Sequence, residues 1–352
     1  MTLTHGGEIY DKRIELDFSV NLNPNPCPEE VLEAIREASL HVLEYPDITQ
    51  KSFRQKVALA ENKLSGSDWL TPENVIGGNG ASELIMAIIR LIDPKKVLMP
   101  VPAFYGYYHG IRACGDIELD RYLLSEEKDF SLGEEFLEHI TEGVDLVILG
   151  NPNNPTGRVV DERLLEDIVY KCNETGTALL IDECFLNLST GSFSAARYLD
   201  DCNNLFIVNA YTKLFSIPGV RVGYALAGKE SIRALTALLP EWNMSVMAQR
   251  AGEACADIIV KTDFVDISKE YIKKLREQMI RYFGGLEIKV YPSDTNFILV
   301  RSSKRLYDFF LSKEILIRDC GEFEGLEKGY YRIAVKDEAS YERMKQCFCS
   351  LT

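Results

Sequence analysis

The segment "NAYTKLFSIPGVRVGYA", from Asn209 to Ala225, decides how this chain is expected to fold. It continues the apolar run "LFIVNA" (Leu205 to Ala210), which is typical of a strand buried on both faces of a sheet. Lys213 follows this run, and Arg221 comes eight residues later among Pro and Gly residues that favour turns. Because an unpaired buried ammonium group is costly, the end of this strand is predicted to serve a chemical purpose.

Other apolar runs alternate with amphipathic helical patterns through the middle of the chain. They include "KVLMPVP" from Lys96, "DLVILG" from Asp145 and "ALLID" from Ala178. Continuous apolar strands separated by helices indicate an α/β fold with a mostly parallel sheet covered on both faces. Ligands of such sheets bind beyond the carboxyl ends of the strands.

The last third of the chain has shorter strands in which apolar and polar residues alternate. This pattern predicts a smaller α+β domain. We expect residues 1–40 to form an N-terminal arm that packs with this small domain. Residues 41–235 are then the large domain, and residues 236–352 the small C-terminal domain.

Composition excludes several classes of protein. The 352 residues carry a net charge of −15, so neither nucleic acid nor an anionic membrane is an expected partner. The chain begins without the apolar run of a signal peptide, and its nine cysteines are scattered. Reduced thiols in a cytoplasmic protein are therefore expected. The four histidines lack metal-ligand spacing, so no metal site is predicted.

Polar or flexible residues follow several of the predicted strands. Gly80, Ala81 and Ser82 in "IGGNGAS" open a helix whose free N–H groups suit an anion, although a plain turn with a helix cap is the alternative. Asn154 lies in "NPNNPTG", where Asn-Pro and Pro-Thr-Gly favour a turn; a purely structural turn is the alternative. Asp182 ends the run "ALLID", where a carboxylate needs a cation or several donors; a structural ion pair is the alternative.

An anion site, an amide, a carboxylate and a lysine at one sheet edge suit pyridoxal 5'-phosphate. Lys213 would bind the aldehyde of this cofactor covalently. Asp182 would keep the pyridine nitrogen protonated, and Asn154 would donate to the phenolate oxygen. The phosphate would lie at the glycine-rich helix start, close to Thr212 and Arg221.

Taken together, "NPNNPTG", "DECF" and "TKLFSIPGVRVGY" resemble the fold type I pyridoxal-phosphate aminotransferases over nearly the whole chain. The resemblance implies a large domain with a mostly parallel seven-stranded sheet between helices. It also implies catalytic roles for Lys213, Asp182 and Asn154. Phe104 would stack on the cofactor ring, and Tyr45 would reach the phosphate of the neighbouring subunit of a homodimer. The implied cofactor-binding set is Tyr45, Gly80, Ala81, Ser82, Phe104, Asn154, Asp182, Thr212, Lys213 and Arg221.

Two positions depart from the common pattern of that family. Phe185 stands where many members have a tyrosine that bonds the phenolate oxygen. Ala210 stands where a hydroxyl residue often contacts the phosphate. One contact of each kind is therefore expected to be missing.

Within the family, "HGG" at His5, "DFSVNLNP" and "ILIRDCGEFEG" resemble the threonine-phosphate decarboxylases. Histidinol-phosphate aminotransferases are the next most similar group. This resemblance implies a small phosphorylated amino-acid substrate bound by His5, Asn21, Arg318 and Arg332. Surface ion pairs for the arginines and an uninvolved terminus for "HGG" are the alternatives. A non-catalytic binding module is a third possibility, but it has no need of Lys213.

Overall fold

A computed structural model describes residues 6–286 and 288–348 of the chain. The helices are α1 (Glu29–Ala38), α2 (Lys51–Ser65), α3 (Ala81–Ile92), α4 (Tyr105–Ala113), α5 (Glu162–Thr175), α6 (Tyr211–Leu214), α7 (Lys229–Leu238), α8 (Val246–Lys261), α9 (Phe264–Gly284), α10 (Leu306–Leu311) and α11 (Glu338–Phe348). The strands are β1 (Leu16–Asp17), β2 (Val75–Gly78), β3 (Lys96–Val101), β4 (Glu118–Leu123), β5 (Leu146–Gly150), β6 (Ala178–Asp182), β7 (Leu205–Asn209), β8 (Gly223–Ala227), β9 (Lys289–Val290), β10 (Phe297–Arg301), β11 (Ile315–Leu316), β12 (Arg318–Asp319) and β13 (Tyr330–Ala334).

A seven-stranded sheet with the strand order β2-β8-β7-β6-β5-β3-β4 forms the centre of the molecule. Only β8 runs antiparallel to its neighbours. The other pairs are parallel. The predicted seven-stranded, mostly parallel sheet is therefore confirmed.

Both faces of this large sheet are apolar because neighbouring strand residues point to opposite sides. Val97 and Ile148 belong to the core beneath α3, α4 and α7. Leu98 and Val147 belong to the core beneath α2, α5 and α8. A strand covered on both faces needs continuous apolar residues, which explains the runs seen in the sequence.

A small antiparallel sheet has the order β12-β13-β10-β9. Helices α9 and α11 cover one of its faces, where Met279 and Met344 pack against Ile298 and Ile333. This is the smaller α+β unit that the sequence predicts. The other face of the small sheet is turned toward the large sheet.

The N-terminal segment joins the small sheet through β1, which pairs in parallel with β11. Helix α8, by contrast, shares the core of the large sheet, where Ala248 and Ala251 lie with Phe53. The expected bounds of 1–40, 41–235 and 236–352 remain a prediction. The packing of α8 favours a division after this helix over one at residue 236.

The parallel strands β3, β5, β6 and β7 all end at one edge of the large sheet. The loops that follow them face the small sheet across a cavity. Across residues 6–286 and 288–348, no helix is long and apolar enough to cross a membrane.

Candidate active site

A cavity of about 250 Å³ lies at the carboxyl edge of the large sheet, between the two sheets. The structure brings most of the residues predicted from the sequence to its walls. These are Asn21, Ala81, Ser82, Phe104, Asn154, Asp182, Thr212, Lys213, Arg221, Arg318 and Arg332.

Asp182, the last residue of β6, is held by two hydrogen bonds. The Tyr107 hydroxyl donates to its Oδ2 at 2.9 Å, and the backbone N–H of Cys184 donates to its Oδ1 at 3.0 Å. Burial, and then the Asp182 charge, raise the pKa of Tyr107 and that of the Cys184 thiol well above their ordinary values. Both neighbours of Asp182 therefore stay protonated.

Lys213 lies in the short helix α6, four residues beyond the end of β7. Removal from water lowers its pKa below the usual value, and the nearby cations Arg332 and Arg221 add to this effect. Its Nζ lies 5.9 Å from the centre of the Phe185 ring. A lowered pKa increases the share of neutral amine, which is the nucleophilic form of a lysine.

The N-terminus of α3 and Arg221 form an anion site at one end of the cavity. Gly80 precedes this helix with φ +81°, and a Cβ there would lie 2.3 Å from Nη2 of Arg221. Only glycine combines this backbone conformation with so close an approach. Ala81, Ser82 and Thr212 line the same end. Free N–H groups at a helix start, next to a guanidinium, favour a phosphate.

Arg332 on β13 is buried at the opposite end. Its Nη1 donates to Oδ1 of Asn154 at 2.5 Å and its Nη2 to the Ser19 carbonyl at 2.6 Å, while its Nε has no partner. Burial lowers the pKa of Arg332 to about 10. The Oδ1 atom of Asn21 is likewise buried without a partner.

Arg318 on β12 is paired directly opposite Arg332. Its guanidinium lies 5.5 Å from the centre of the Phe323 ring. Within the described part of the chain, no carboxylate is at salt-bridge distance from either arginine. Like charges opposite each other in a sheet repel, so this pair calls for an anion between or beside them.

Three predicted residues are not part of the described cavity wall. Gly80 lies behind Arg221, as described above. Tyr45 is 81% exposed and its ring lies 4.8 Å from that of Trp242, so its reach into a neighbouring subunit stays a prediction. His5 lies outside the described residues. Gly6, the next residue, does line the cavity.

Sequence reasoning missed several wall residues, including Tyr107, Ser19, Cys184 and Phe323. Tyr107 lies in "FYGYY", where nothing distinguishes it from Tyr105 and Tyr108 until the helix direction is known. Phe185 and Ala210 also line the cavity, each without the hydroxyl expected in relatives. The described residues contain no group of His, Cys, Asp or Glu side chains that could hold a metal ion.

Comparison with known proteins shows which family has a site of this kind. The family "Aminotransferase class I and II" matches residues 13–346. The chain belongs to this family. Its members are enzymes that use pyridoxal 5'-phosphate and act on small amino-acid substrates. The predicted fold class and cofactor are therefore confirmed.

Three relatives within the family illustrate the range of similarity. A Caldanaerobacter subterraneus protein provisionally named threonine-phosphate decarboxylase is 34% identical, over 94% of this chain and 89% of its own. A histidinol-phosphate aminotransferase of the same organism is 30% identical, over 93% of this chain and 90% of its own. The crystal structure of the histidinol-phosphate aminotransferase from Clostridium acetobutylicum has a TM-score of 0.85 and 29% identity, covering 96% of this chain and 98% of that one.

The side chains at the cavity fit the family's cofactor. Asp182 offers a carboxylate in a half-buried position, and the Gly80 turn leaves room for the Arg221 guanidinium at a helix N-terminus. The unpartnered Asn21 Oδ1 and Arg332 Nε show that the cavity holds unmet hydrogen-bonding capacity for a polar ligand.

Proposed function

We propose that the enzyme decarboxylates L-threonine O-3-phosphate to (R)-1-amino-2-propanol O-2-phosphate, a step of cobalamin biosynthesis. The observation that carries this proposal is the opposed pair Arg318 and Arg332, which faces the cavity without a carboxylate partner among the described residues. A substrate with both a carboxylate and a phosphate supplies two anionic groups for two guanidinium forks. The 34% identity to the protein provisionally named threonine-phosphate decarboxylase supports the same proposal.

On the cofactor side, we assign roles from position. Bound pyridoxal 5'-phosphate draws electrons from the α-carbon of an amino acid and so weakens the bonds to that carbon. Lys213 would hold its aldehyde covalently and exchange it for the substrate amine. Asp182, fixed by Tyr107, would hold the proton on the pyridine nitrogen.

Three further groups would orient the cofactor. Phe104 would cover one face of the ring, and Asn154 would bond its phenolate oxygen. Arg221, with Ala81, Ser82 and Thr212, would hold the phosphate.

On the substrate side, the residues Asn21, Arg318 and Arg332, together with His5, would hold the two anionic ends. A grip by these residues that presents the α-carboxylate for cleavage would favour loss of CO₂, and one that presents the α-hydrogen would favour amino transfer. Arg318 and Arg332 would therefore set the reaction as well as the affinity.

Amino transfer from histidinol phosphate is the alternative function. The 30% identity to the Caldanaerobacter histidinol-phosphate aminotransferase, and the TM-score of 0.85 with its Clostridium counterpart, favour it. Both candidate substrates carry a phosphate, but only threonine phosphate also carries an α-carboxylate. The opposed arginines therefore match threonine phosphate as a single substrate, whereas amino transfer would use them for the phosphate of one substrate and the carboxylates of 2-oxoglutarate.

We also propose a homodimer in the cytoplasm. Leu40, Leu43 and Tyr45 are at least 80% exposed and lie in one short segment, so a second copy of the chain would cover an apolar surface there. Tyr45 would then reach the phosphate site of the partner. No disulfide joins the described cysteines, which suits a reducing compartment.

The deciding experiment gives the holoenzyme three mixtures. The first contains threonine phosphate alone, the second threonine phosphate with 2-oxoglutarate, and the third histidinol phosphate with 2-oxoglutarate. The amounts of CO₂ and glutamate are measured. CO₂ without glutamate from threonine phosphate is expected, and the Lys213→Ala variant is the control for uncatalysed loss. Glutamate formation without CO₂ would replace the first proposal by the second.

A further inference from the structure

Glu126 lies outside the cavity wall, on the turn that follows β4 of the large sheet, yet all four of its described side-chain bonds come from the small sheet and its edge. Its Oε1 accepts from Lys289 Nζ at 2.8 Å and from the Tyr291 hydroxyl at 2.5 Å. Its Oε2 accepts from Arg301 Nη1 and from the Tyr330 hydroxyl, both at 2.9 Å. These five residues are called the Glu126 cluster below.

Aromatic packing accompanies these bonds. The ring of Phe130, from the same turn region as Glu126, lies 5.1 Å from that of Tyr291 and 6.0 Å from that of Tyr330. The hydrogen bond from Lys289, followed by that from Tyr291, lowers the pKa of Glu126 to about 2. The carboxylate therefore stays ionised at pH values well above 2. The cluster connects the two sheets at this point.

The Glu126 cluster is connected to the substrate arginines through β13. Tyr330 and Arg332 are two residues apart on this strand, so they point to the same face of the small sheet and are about 7 Å apart along it. Arg318 is paired opposite Arg332 and shares that face. The Glu126 bonds thus fix the first residue of β13, two positions before Arg332, and Arg332 in turn is paired with Arg318.

We propose that Glu126 is a positioning residue for the substrate, because it fixes β13, and through β13 the paired β12, against the large sheet and so sets where Arg318 and Arg332 lie relative to the cofactor. This inference rests on the proposed role of those arginines in binding the anionic ends of the substrate. The cofactor side has its own supports, in Tyr107 and the α3 N-terminus. Loss of Glu126 is therefore expected to weaken substrate binding without weakening cofactor binding.

The test compares Glu126→Gln with the wild-type holoenzyme. The amide keeps the size of the side chain but loses the charge and presents N–H groups to two of its four donors. We expect KM for threonine phosphate to rise about tenfold or more, since several charge-assisted bonds are lost together. The affinity for pyridoxal 5'-phosphate is expected to stay within about twofold, because no cofactor contact changes.

The matched control is Glu135→Gln. Glu135 is an exposed carboxylate nearby in the chain, and its described ion pair, with Lys128 at 2.5 Å, stays within the large domain. Hydrogen exchange across β13 is measured in parallel and is expected to be faster in Glu126→Gln alone. If Glu126→Gln does not fold, Tyr330→Phe replaces it, since it removes one of the four bonds and is expected to raise KM by a smaller factor.

An unchanged KM overturns the inference, and so does a KM that rises only together with a loss of cofactor affinity. Faster exchange at β13 with an unchanged KM would make Glu126 a purely structural residue. If the wild type does not act on threonine phosphate, the proposed function has failed, and inorganic phosphate becomes the probe of the arginine pair. Phosphate binding by the holoenzyme, measured by calorimetry, must then weaken in Glu126→Gln; equal or absent binding in both proteins overturns the inference as well.

Discussion

The two walls of the cavity are built in different ways. The cofactor wall comes from residues 81–221, and most of its side chains stand directly after strands of one parallel sheet. The substrate wall comes from residues 6–21 and 318–332, which lie at opposite ends of the sequence. One wall follows from local order along the chain, whereas the other depends on long-range packing.

The walls also differ in how their charges are balanced. Asp182 on the cofactor wall already accepts hydrogen bonds from Tyr107 and Cys184. Arg318 and Arg332 on the substrate wall face each other instead, and Arg332 Nε is without a partner. This difference suits the proposed roles of the two walls. The first would hold a tightly bound cofactor, and the second would bind a substrate that is exchanged in each turnover. Substitutions on the two walls should therefore fail in different ways.

The largest effect is expected from Lys213→Ala on the cofactor wall. Turnover and the visible absorbance band of the covalently bound cofactor should both disappear, because the amine that holds the aldehyde is gone. The far-UV circular dichroism spectrum should be unchanged, since the side chain has no part in the core. Normal turnover in this variant would place the covalent link at another lysine.

Asp182→Asn should reduce kcat by roughly 100- to 1,000-fold, the usual cost of removing one preorganised electrostatic partner. A neutral amide cannot hold the pyridine nitrogen protonated. Cofactor should still bind, which equilibrium dialysis would measure. Wild-type rates in this variant would remove Asp182 from the chemistry.

Arg318→Ala on the substrate wall should lower the apparent affinity for threonine phosphate roughly ten- to a hundred-fold, the value of one or two charge-assisted hydrogen bonds. Cofactor content should not change, because the proposed site of the cofactor phosphate is at Arg221. Steady-state kinetics with threonine phosphate and with unphosphorylated threonine make the comparison. Equal affinity for both compounds would contradict a phosphorylated substrate.

The pH dependence of stability should separate the two sides as well. Behind the cofactor wall, burial raises the pKa of Glu61 to about 7, although Tyr224 donates to its carboxylate. The folded protein then holds a proton that the unfolded chain releases above about pH 4.5, so stability should fall as pH rises from about 4.5 to 7. The slope from this group approaches about 1.4 kcal/mol per pH unit.

Glu61→Gln should flatten that slope in denaturant titrations at several pH values. Glu183, whose pKa burial raises to about 8, lies in the same region and should leave a residual slope of the same sign. Glu126, whose bonding partners lie in the small sheet, contributes a slope of the opposite sign. Its lowered pKa stabilises the fold above about pH 4.5, and this contribution is lost only toward pH 2. A slope unchanged in Glu61→Gln would mean that this carboxyl group is not buried in its neutral form.

The smallest effect is expected from Tyr107→Phe, which removes one hydrogen bond to Asp182. A single bond of this kind contributes about 0.5–1.5 kcal/mol, so kcat should fall roughly two- to tenfold. KM for threonine phosphate should stay constant, because the change is confined to the cofactor wall. A rise in KM without a change in kcat would show that Tyr107 contacts the substrate instead.

The difference between the walls also explains what could be predicted from the sequence. Buried parallel strands have continuous apolar sequences, and the residues that follow each strand lie at a known edge of the sheet. Asp182, Lys213 and the start of α3 could therefore be predicted as site residues from the sequence. Arg318 and Arg332 were found only through resemblance. Their short strands leave weak patterns, and nothing local shows that β12 and β13 are paired.

The roles of Tyr107 and Glu126 could not be predicted from the sequence, for a similar reason. The role of each depends on a single side-chain contact with a residue far away in the sequence. The hydrophobic periodicity of a sequence does not reveal such contacts. The helix α8 illustrates the same limit, because its position after α7 suggested the small domain, whereas its apolar face packs on the large one.

The pairing of distant segments has a consequence for how the protein is made. The Ser19 carbonyl accepts from Arg332, the Phe18 carbonyl accepts from the Ala334 N–H, and Asn23 bonds the carbonyls of Lys213 and Leu214. Contacts of such high sequence separation form late in folding, because the loop they close is long. During synthesis, the large sheet can assemble before β11 and β13 have left the ribosome. Residues 6–23 cannot yet pair with these strands at that stage. The substrate wall, and with it the complete active site, is therefore expected to form only after most of the chain has been synthesised.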